Sequence, residues 1–167
     1  MRIALVAFAL FAIIGPAAAD DSGCDKFAWS LSRERALLAA GGAHKAQSGT
    51  KLADIPAAAV VMQLDPASRA AFSLPPERKP ASEASFGGML YLPAPQEPGI
   101  YQVTLSNEAW VDAVQNGHYA HSIGSTGRHD CTGLRKSVRF EISAAPIILQ
   151  VSGVAAETIA IAIRRAD

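Results

Sequence analysis

Several things are scarce in this chain, and each shortage removes a class of protein. Its 15 basic and 15 acidic residues balance, so no net field draws in nucleic acid or an anionic membrane surface. The longest apolar run, Ile3 to Ile14, has 12 residues, well short of the roughly 20 that span a hydrocarbon core. The sequence has no Gly-rich phosphate loop, zinc-finger spacing or dinucleotide fingerprint. It also lacks the Gly-x-Ser-x-Gly elbow of serine hydrolases. With only two cysteines and four histidines, any metal or thiol chemistry must draw on a very small set.

What is present begins with an address. Met1-Arg2 is a short positive stretch, Ile3–Ile14 is apolar, Gly15-Pro16 breaks it, and Ala17-Ala18-Ala19 fits a small-x-small cleavage site. This order is that of a secretory signal peptide over residues 1–19. Gly23-Cys24 resembles the end of a lipobox, but Asp21 stands where an apolar residue is required. Cleavage after Ala19 leaves residues 20–167, 148 residues with 14 basic and 15 acidic side chains and a net charge of −1. That length suits one domain with a real core. A periplasmic or secreted protein with no further membrane segment is expected. In such a compartment Cys24 and Cys131 are expected to form a disulfide, the alternatives being two free thiols or an intermolecular bridge.

From Lys51 onward, short apolar segments are punctuated by Pro and Gly at intervals of about ten residues. Ala58–Leu64 ends at Asp65-Pro66, Ala70–Leu74 at Pro75-Pro76, and Phe86–Leu92 at Pro93. In Ile100–Ser106, Tyr101, Val103 and Leu105 share one face by period-2 alternation, as do Val138, Phe140 and Ile142 further on, and Ile159, Ile161 and Ile163 near the C-terminus. Trp110–Val114 alternates too, with Trp110, Asp112 and Val114 on one side. Asn116-Gly117 is a strong hairpin signal, with Tyr119–Ile123 as the return strand. Ahead of these segments, Phe27–Ala40 reads two ways: as a short helix, with Ser30 or Ser32 as cap and Gly41-Gly42 as stop, or as a strand at the sheet edge. Gly41–Thr50 reads as a small-residue loop holding a solvated His44, and Glu77–Ser85 as an exposed loop. The expectation is an all-β fold: a single antiparallel β-sandwich, jelly-roll-like, with about eight or nine short strands and at most one short N-terminal helix.

The residues able to do chemistry gather between Gly99 and Ile142. His118, His121 and His129 fall within twelve positions, with Asp130 and Cys131 beside the last. Imidazole and carboxylate donors suit Zn or Cu. On a strand, His118 and His121 face opposite sides. A site of His121, His129 and Asp130 therefore needs the loop Gly124–His129 to fold back; the structural alternative is a loop of solvated polar side chains. Cys131 with His129 or His121 has the composition of a thiol nucleophile pair, though a disulfide to Cys24 consumes the thiol. Ser122 or Ser125 with a histidine and Asp130 has the residue types of a hydrolase triad without its elbow. Trp110 and Tyr119, with Tyr91 and Tyr101, are candidate aromatic contacts for a sugar or peptide, set against the ordinary role of such residues in filling a sandwich core. Arg135-Lys136 and Arg164-Arg165 read as solvated strand ends.

Three segments carry a resemblance: Pro98-Gly-Ile-Tyr-Gln-Val-Thr-Leu-Ser106, Ala109-Trp-Val-Asp112 and Cys131-Thr-Gly-Leu-Arg-Lys-Ser-Val-Arg-Phe140. They resemble small exported proteins of proteobacteria. The strand pattern over about residues 50–165 is similar to the jelly-roll sandwich of bacterial pre-peptidase C-terminal domains, which accompany secreted enzymes. Some chains of the first group carry the name homogentisate 1,2-dioxygenase. That enzyme class is a larger cytoplasmic iron protein built on cupin domains, holding iron with two histidines and a glutamate, and no residue pattern here matches it. The expected role is a non-enzymatic binding or accessory protein for a small ligand, a glycan or a protein partner. The alternatives are a periplasmic metal-binding protein using His121 and His129, and a small secreted enzyme. No cofactor is expected beyond the candidate Zn or Cu.

Overall fold

The computed structural model describes residues 23–40, 43–80 and 82–166. The leader over residues 1–19 and the helix stop at Gly41-Gly42 lie outside the described residues. One helix, α1 (Ser32–Ala39), precedes eleven strands: β1 (His44–Gln47), β2 (Val60–Gln63), β3 (Asp65–Pro66), β4 (Phe86–Leu92), β5 (Gly99–Leu105), β6 (Trp110–Gln115), β7 (His118–Tyr119), β8 (Ser122–Gly127), β9 (Lys136–Ile142), β10 (Ile147–Val154) and β11 (Thr158–Arg165). They form two sheets, a six-stranded one in the order β1-β2-β11-β5-β9-β8 and a five-stranded one in the order β3-β4-β10-β6-β7. The protein is an all-β sandwich with one short helix. Every strand pair is antiparallel except β1 with β2.

The alternating segments meet between the sheets. Val60 and Met62, Tyr101, Val103 and Leu105, Val138, Phe140 and Ile142, and Ile159, Ile161 and Ile163 face Leu90, Leu92, Val111, Ala113, Leu149 and Val151 in one buried cluster. Each such side chain removed from water contributes on the order of 1.5–3 kcal/mol. Asn116-Gly117 makes the expected turn, both residues at positive φ (53° and 74°), the geometry that matches the twist of paired strands.

Several local expectations are corrected. His44–Gln47 is a strand rather than loop; only Ala46 of it is buried, so it has no alternating apolar pattern to read. Ala70–Leu74 is not a strand. It belongs to a long connection that lies over the five-stranded sheet, its Leu74 amide and carbonyl bound by the Gln150 side chain at 3.5 and 2.9 Å. Tyr119–Ile123 is not one return strand. After His118-Tyr119 the chain leaves the five-stranded sheet and joins the other as β8, so Gly124–Gly127 is strand instead of a folded-back loop. The helix starts without a side-chain cap; Ser30 and Ser32 face each other at 3.3 Å.

The outer face of the six-stranded sheet is covered by α1 and the segment before it, which is why Gln102 and Thr104 are as buried as their core-facing neighbours. The buried polar side chains of the sheet under that cover find partners. Thr104 and Ser137 share a hydrogen bond of 2.9 Å, Arg139 donates to Gln102 at 2.9 Å, and Arg164 meets Glu34 of α1 at 2.9 Å. The Cys24–Cys131 disulfide fastens this covering segment to the β8–β9 connection. Around it a satellite cluster forms from Leu31, Cys131 and Leu134, with Phe27, Trp29 and Leu38 against them.

Candidate functional site

The histidine region is open. His121 lies in the crossing from β7 to β8 and is exposed; its carbonyl accepts the Glu141 amide at 2.9 Å. His129 is also exposed, and its carbonyl accepts from Arg135. Asp130 is engaged by Arg128 through two hydrogen bonds, Nε to Oδ1 at 2.9 Å and Nη2 to Oδ2 at 2.7 Å. That guanidinium holds the Asp130 carboxyl below the usual carboxylate range. Among the described residues, no three His, Cys, Asp or Glu side chains stand where they could hold one metal ion; His121, His129 and Asp130 are not brought together. Cys131 is in the disulfide, so it offers no thiolate to either imidazole.

Trp110 and Tyr119 both lie on the outer face of the five-stranded sheet, but apart: Trp110 opens β6 and Tyr119 pairs with Val114 near its other end. Alternation along β6 sends Val111 and Ala113 into the core and leaves Trp110 and Asp112 outside, beneath Glu77 and Arg78 of the connection before β4. The Trp110 indole N–H donates to Asp112 Oδ1 at 2.6 Å. Asp112 Oδ2 accepts from the Glu77 amide at 3.3 Å and from Gln150, its cross-strand partner on β10, at 3.4 Å. Burial pushes the Asp112 carboxyl above its ordinary value, against the pull of these hydrogen bonds. Tyr119 donates to the Pro75 carbonyl, and desolvation, with Asp112 and Glu77 adding, raises its phenol. These aromatics pin the connection to the sheet; the indole face is occupied by cations, Lys136 Nζ at 4.8 Å and the Arg78 guanidinium at 5.8 Å from the ring centre. Of the other two tyrosines, Tyr101 is in the core and donates to the Glu97 carbonyl at 3.0 Å. Tyr91 is half-buried beside Lys51.

A pocket that the sequence does not announce lies on the other sheet's cover. It measures about 680 Å³, between α1 and the disulfide-tied segment, with Phe27, Trp29, Leu31 and Leu134 as its apolar wall and Ser32 and Arg35 at its polar side. Its volume is within the 300–1,000 Å³ usual for small-molecule sites. Trp29 is held from behind by Arg139, whose guanidinium stands 4.3 Å from the ring centre, and its indole N–H is buried without a hydrogen-bond partner. A buried donor in that state loses its hydration with nothing in return, and it belongs to a residue of the pocket wall. The cavity arises from two segments whose apposition is set by the Cys24–Cys131 disulfide and the Glu34–Arg164 pair. Comparison with protein-family models, curated proteins and solved structures finds no match.

Proposed function

We propose that the protein is an exported, periplasmic or secreted, non-enzymatic binding or accessory protein whose ligand is a small, largely apolar molecule carrying a hydrogen-bond acceptor. The observation that carries this reading is the pocket walled by Phe27, Trp29, Leu31 and Leu134, with the unpartnered Trp29 indole N–H beside it. The disulfide supports the export half, since such bonds persist in oxidising compartments. Among the described residues no helix is long and apolar enough to cross a membrane. Binding here needs no catalytic group, only a rigid apolar wall and one directed polar contact.

The probe is the dye 8-anilinonaphthalene-1-sulfonate, added to the folded, oxidised chain. One saturable site with enhanced dye emission is expected. Trp29→Ala should weaken it at least about tenfold, the loss of one good hydrogen bond and its stacking surface. Ala39→Phe, which fills the pocket from the helix side, should weaken it as well. Unsaturable dye emission, or a saturable site indifferent to both substitutions, sinks the reading.

A further inference from the structure

A second cavity, of about 150 Å³, opens at one end of the five-stranded sheet, where β6 begins and β10 ends, beside Trp110. It is built by a bulge. The β10 register against β4 shifts between Val151 and Val154, and Gly153 takes φ 73° there, a conformation glycine accepts without strain. The bulge leaves Ser152 at the cavity, only 2 % exposed, with an Oγ that has no hydrogen-bond partner. Arg78 and Lys79 reach it from the long connection, and Lys136 reaches it from β9 of the other sheet. Lys136 Nζ donates once to the Ala109 carbonyl at 3.0 Å and shares the Trp110 ring with Arg78.

Charge in this cavity does not balance. Three cations line it against one carboxylate, Glu108. Asp112, just beneath, has both oxygens committed to Trp110, Gln150 and Glu77. Two cations on one indole repel each other at close range. The proton affinity of Lys136 reflects this place: burial lowers it first and Arg78 lowers it further, with Glu108 and Asp112 opposing.

We propose that this cavity binds a compact oxyanion, inorganic phosphate or sulfate or the terminal phosphate or sulfate of a larger molecule, held by Lys136, Arg78 and Lys79 with Ser152 Oγ as a fourth donor. At roughly 30 Å³ per water, the space corresponds to about five waters, which admits a tetrahedral head group and little else. Charge-assisted hydrogen bonds from a guanidinium and an ammonium are the strong kind for such oxygens. The buried hydroxyl gains a partner in the same step. The site lies apart from the pocket at Trp29 and does not depend on it.

Calorimetric titration of the full oxidised chain with inorganic phosphate, and separately with sulfate, at ionic strength fixed by chloride, tests this. One saturable site is expected for each ion. Arg78→Gln and Lys136→Gln should each weaken binding about tenfold or more. Ser152→Ala should weaken it several-fold with the thermal midpoint maintained or raised, because that substitution removes an unsatisfied group. Arg78 is exposed, so its replacement leaves the fold in place even where Lys136→Gln disturbs it. Phenyl phosphate binding more tightly than inorganic phosphate assigns the site to a head group; equal or weaker binding assigns it to the free ion. No saturable site at millimolar phosphate or sulfate, or affinity unchanged by both Arg78→Gln and Ser152→Ala, overturns the proposal and leaves a water-filled cleft.

Discussion

Asp112 is 2 % exposed, accepts hydrogen bonds from Trp110, Gln150 and the Glu77 amide, and still has its carboxyl pushed above the ordinary value because burial outweighs those bonds. The sign of its pH effect follows. Below the unfolded carboxylate value, about 4, folded and unfolded states both hold the proton and the favourable term is fully present. Between that value and the raised folded one, the unfolded chain has released the proton and the folded chain has kept it. Stability therefore falls as pH rises through this window. Denaturation midpoints followed upward from about pH 4 should show the decline, and Asp112→Asn should flatten it. The asparagine variant should also be less stable throughout, since its amide N–H groups face the Glu77 and Gln150 donors. An equally steep profile in the variant would assign the decline to another group. At the same scale, Trp110 marks the limit of sequence reading. Alternation correctly grouped it with Asp112, but its fate as an outer-face residue under two cations depends on Arg78 and Lys136, which are distant along the chain.

The elements show the same division. β5, β9 and β11 were legible because one face of each carries Val, Ile, Leu, Phe or Tyr at strict period 2, and only one register buries that set. β1 was not legible because His44-Lys-Ala-Gln47 has one buried residue and owes its place to parallel pairing with β2. Ala70–Leu74 has strand-like composition, yet its Ala70 amide donates to the Pro66 carbonyl and its Leu74 backbone bonds to the Gln150 side chain, and its Phe72 packs over Gly87, where a Cβ would come within 2.8 Å of the ring. The helix is tied to the sheet by an ion pair. Glu34 is 1 % exposed and meets Arg164 of β11 at 2.9 Å, the arginine side chain being 21 % exposed. Removing one partner of a buried pair costs on the order of 3–5 kcal/mol; the partial exposure of Arg164 discounts that to about 2–3 kcal/mol. Glu34→Ala should therefore lower unfolding stability by that amount and loosen α1, read as faster amide exchange over residues 32–39 with β5 and β9 still protected. Protection of α1 equal to that of the parent chain would remove Glu34 from this role.

For the whole molecule, the disulfide joins two cores of unequal size. The sandwich core contains no cysteine, whereas the satellite cluster is organised around Cys24 and Cys131. With 107 residues between the cysteines, the loss of chain entropy in the unfolded state corresponds to about 4–5 kcal/mol as an upper figure. Reduction, or Cys24→Ser with Cys131→Ser, should lower the denaturation midpoint while leaving the far-ultraviolet strand signal intact. It should expose Trp29, shift its emission to the red and abolish dye binding in the pocket against the helix. Oxyanion binding beside Trp110 should survive the same treatment, since none of its ligands lies in the satellite cluster. Alkylation of the exported chain without reductant should label neither cysteine.

By itself the sequence determined the fold class, the Asn116-Gly117 turn and the pairing of its only two cysteines. Each of these rests on local chemistry: period-2 alternation, a dipeptide that accepts positive φ, and the absence of any other thiol. The tertiary structure alone decided which strands share a sheet and in what order, because alternation marks the face a strand buries without saying which strand lies beside it. It also decided the sites. The histidines clustered in sequence were dispersed when β7 ended after Tyr119 and the chain crossed to the other sheet. The cavities at Trp29 and Ser152 were assembled from segments up to about a hundred residues apart, Cys24 with Cys131 in one and Arg78 with Lys136 in the other, where no spacing along the chain could announce them.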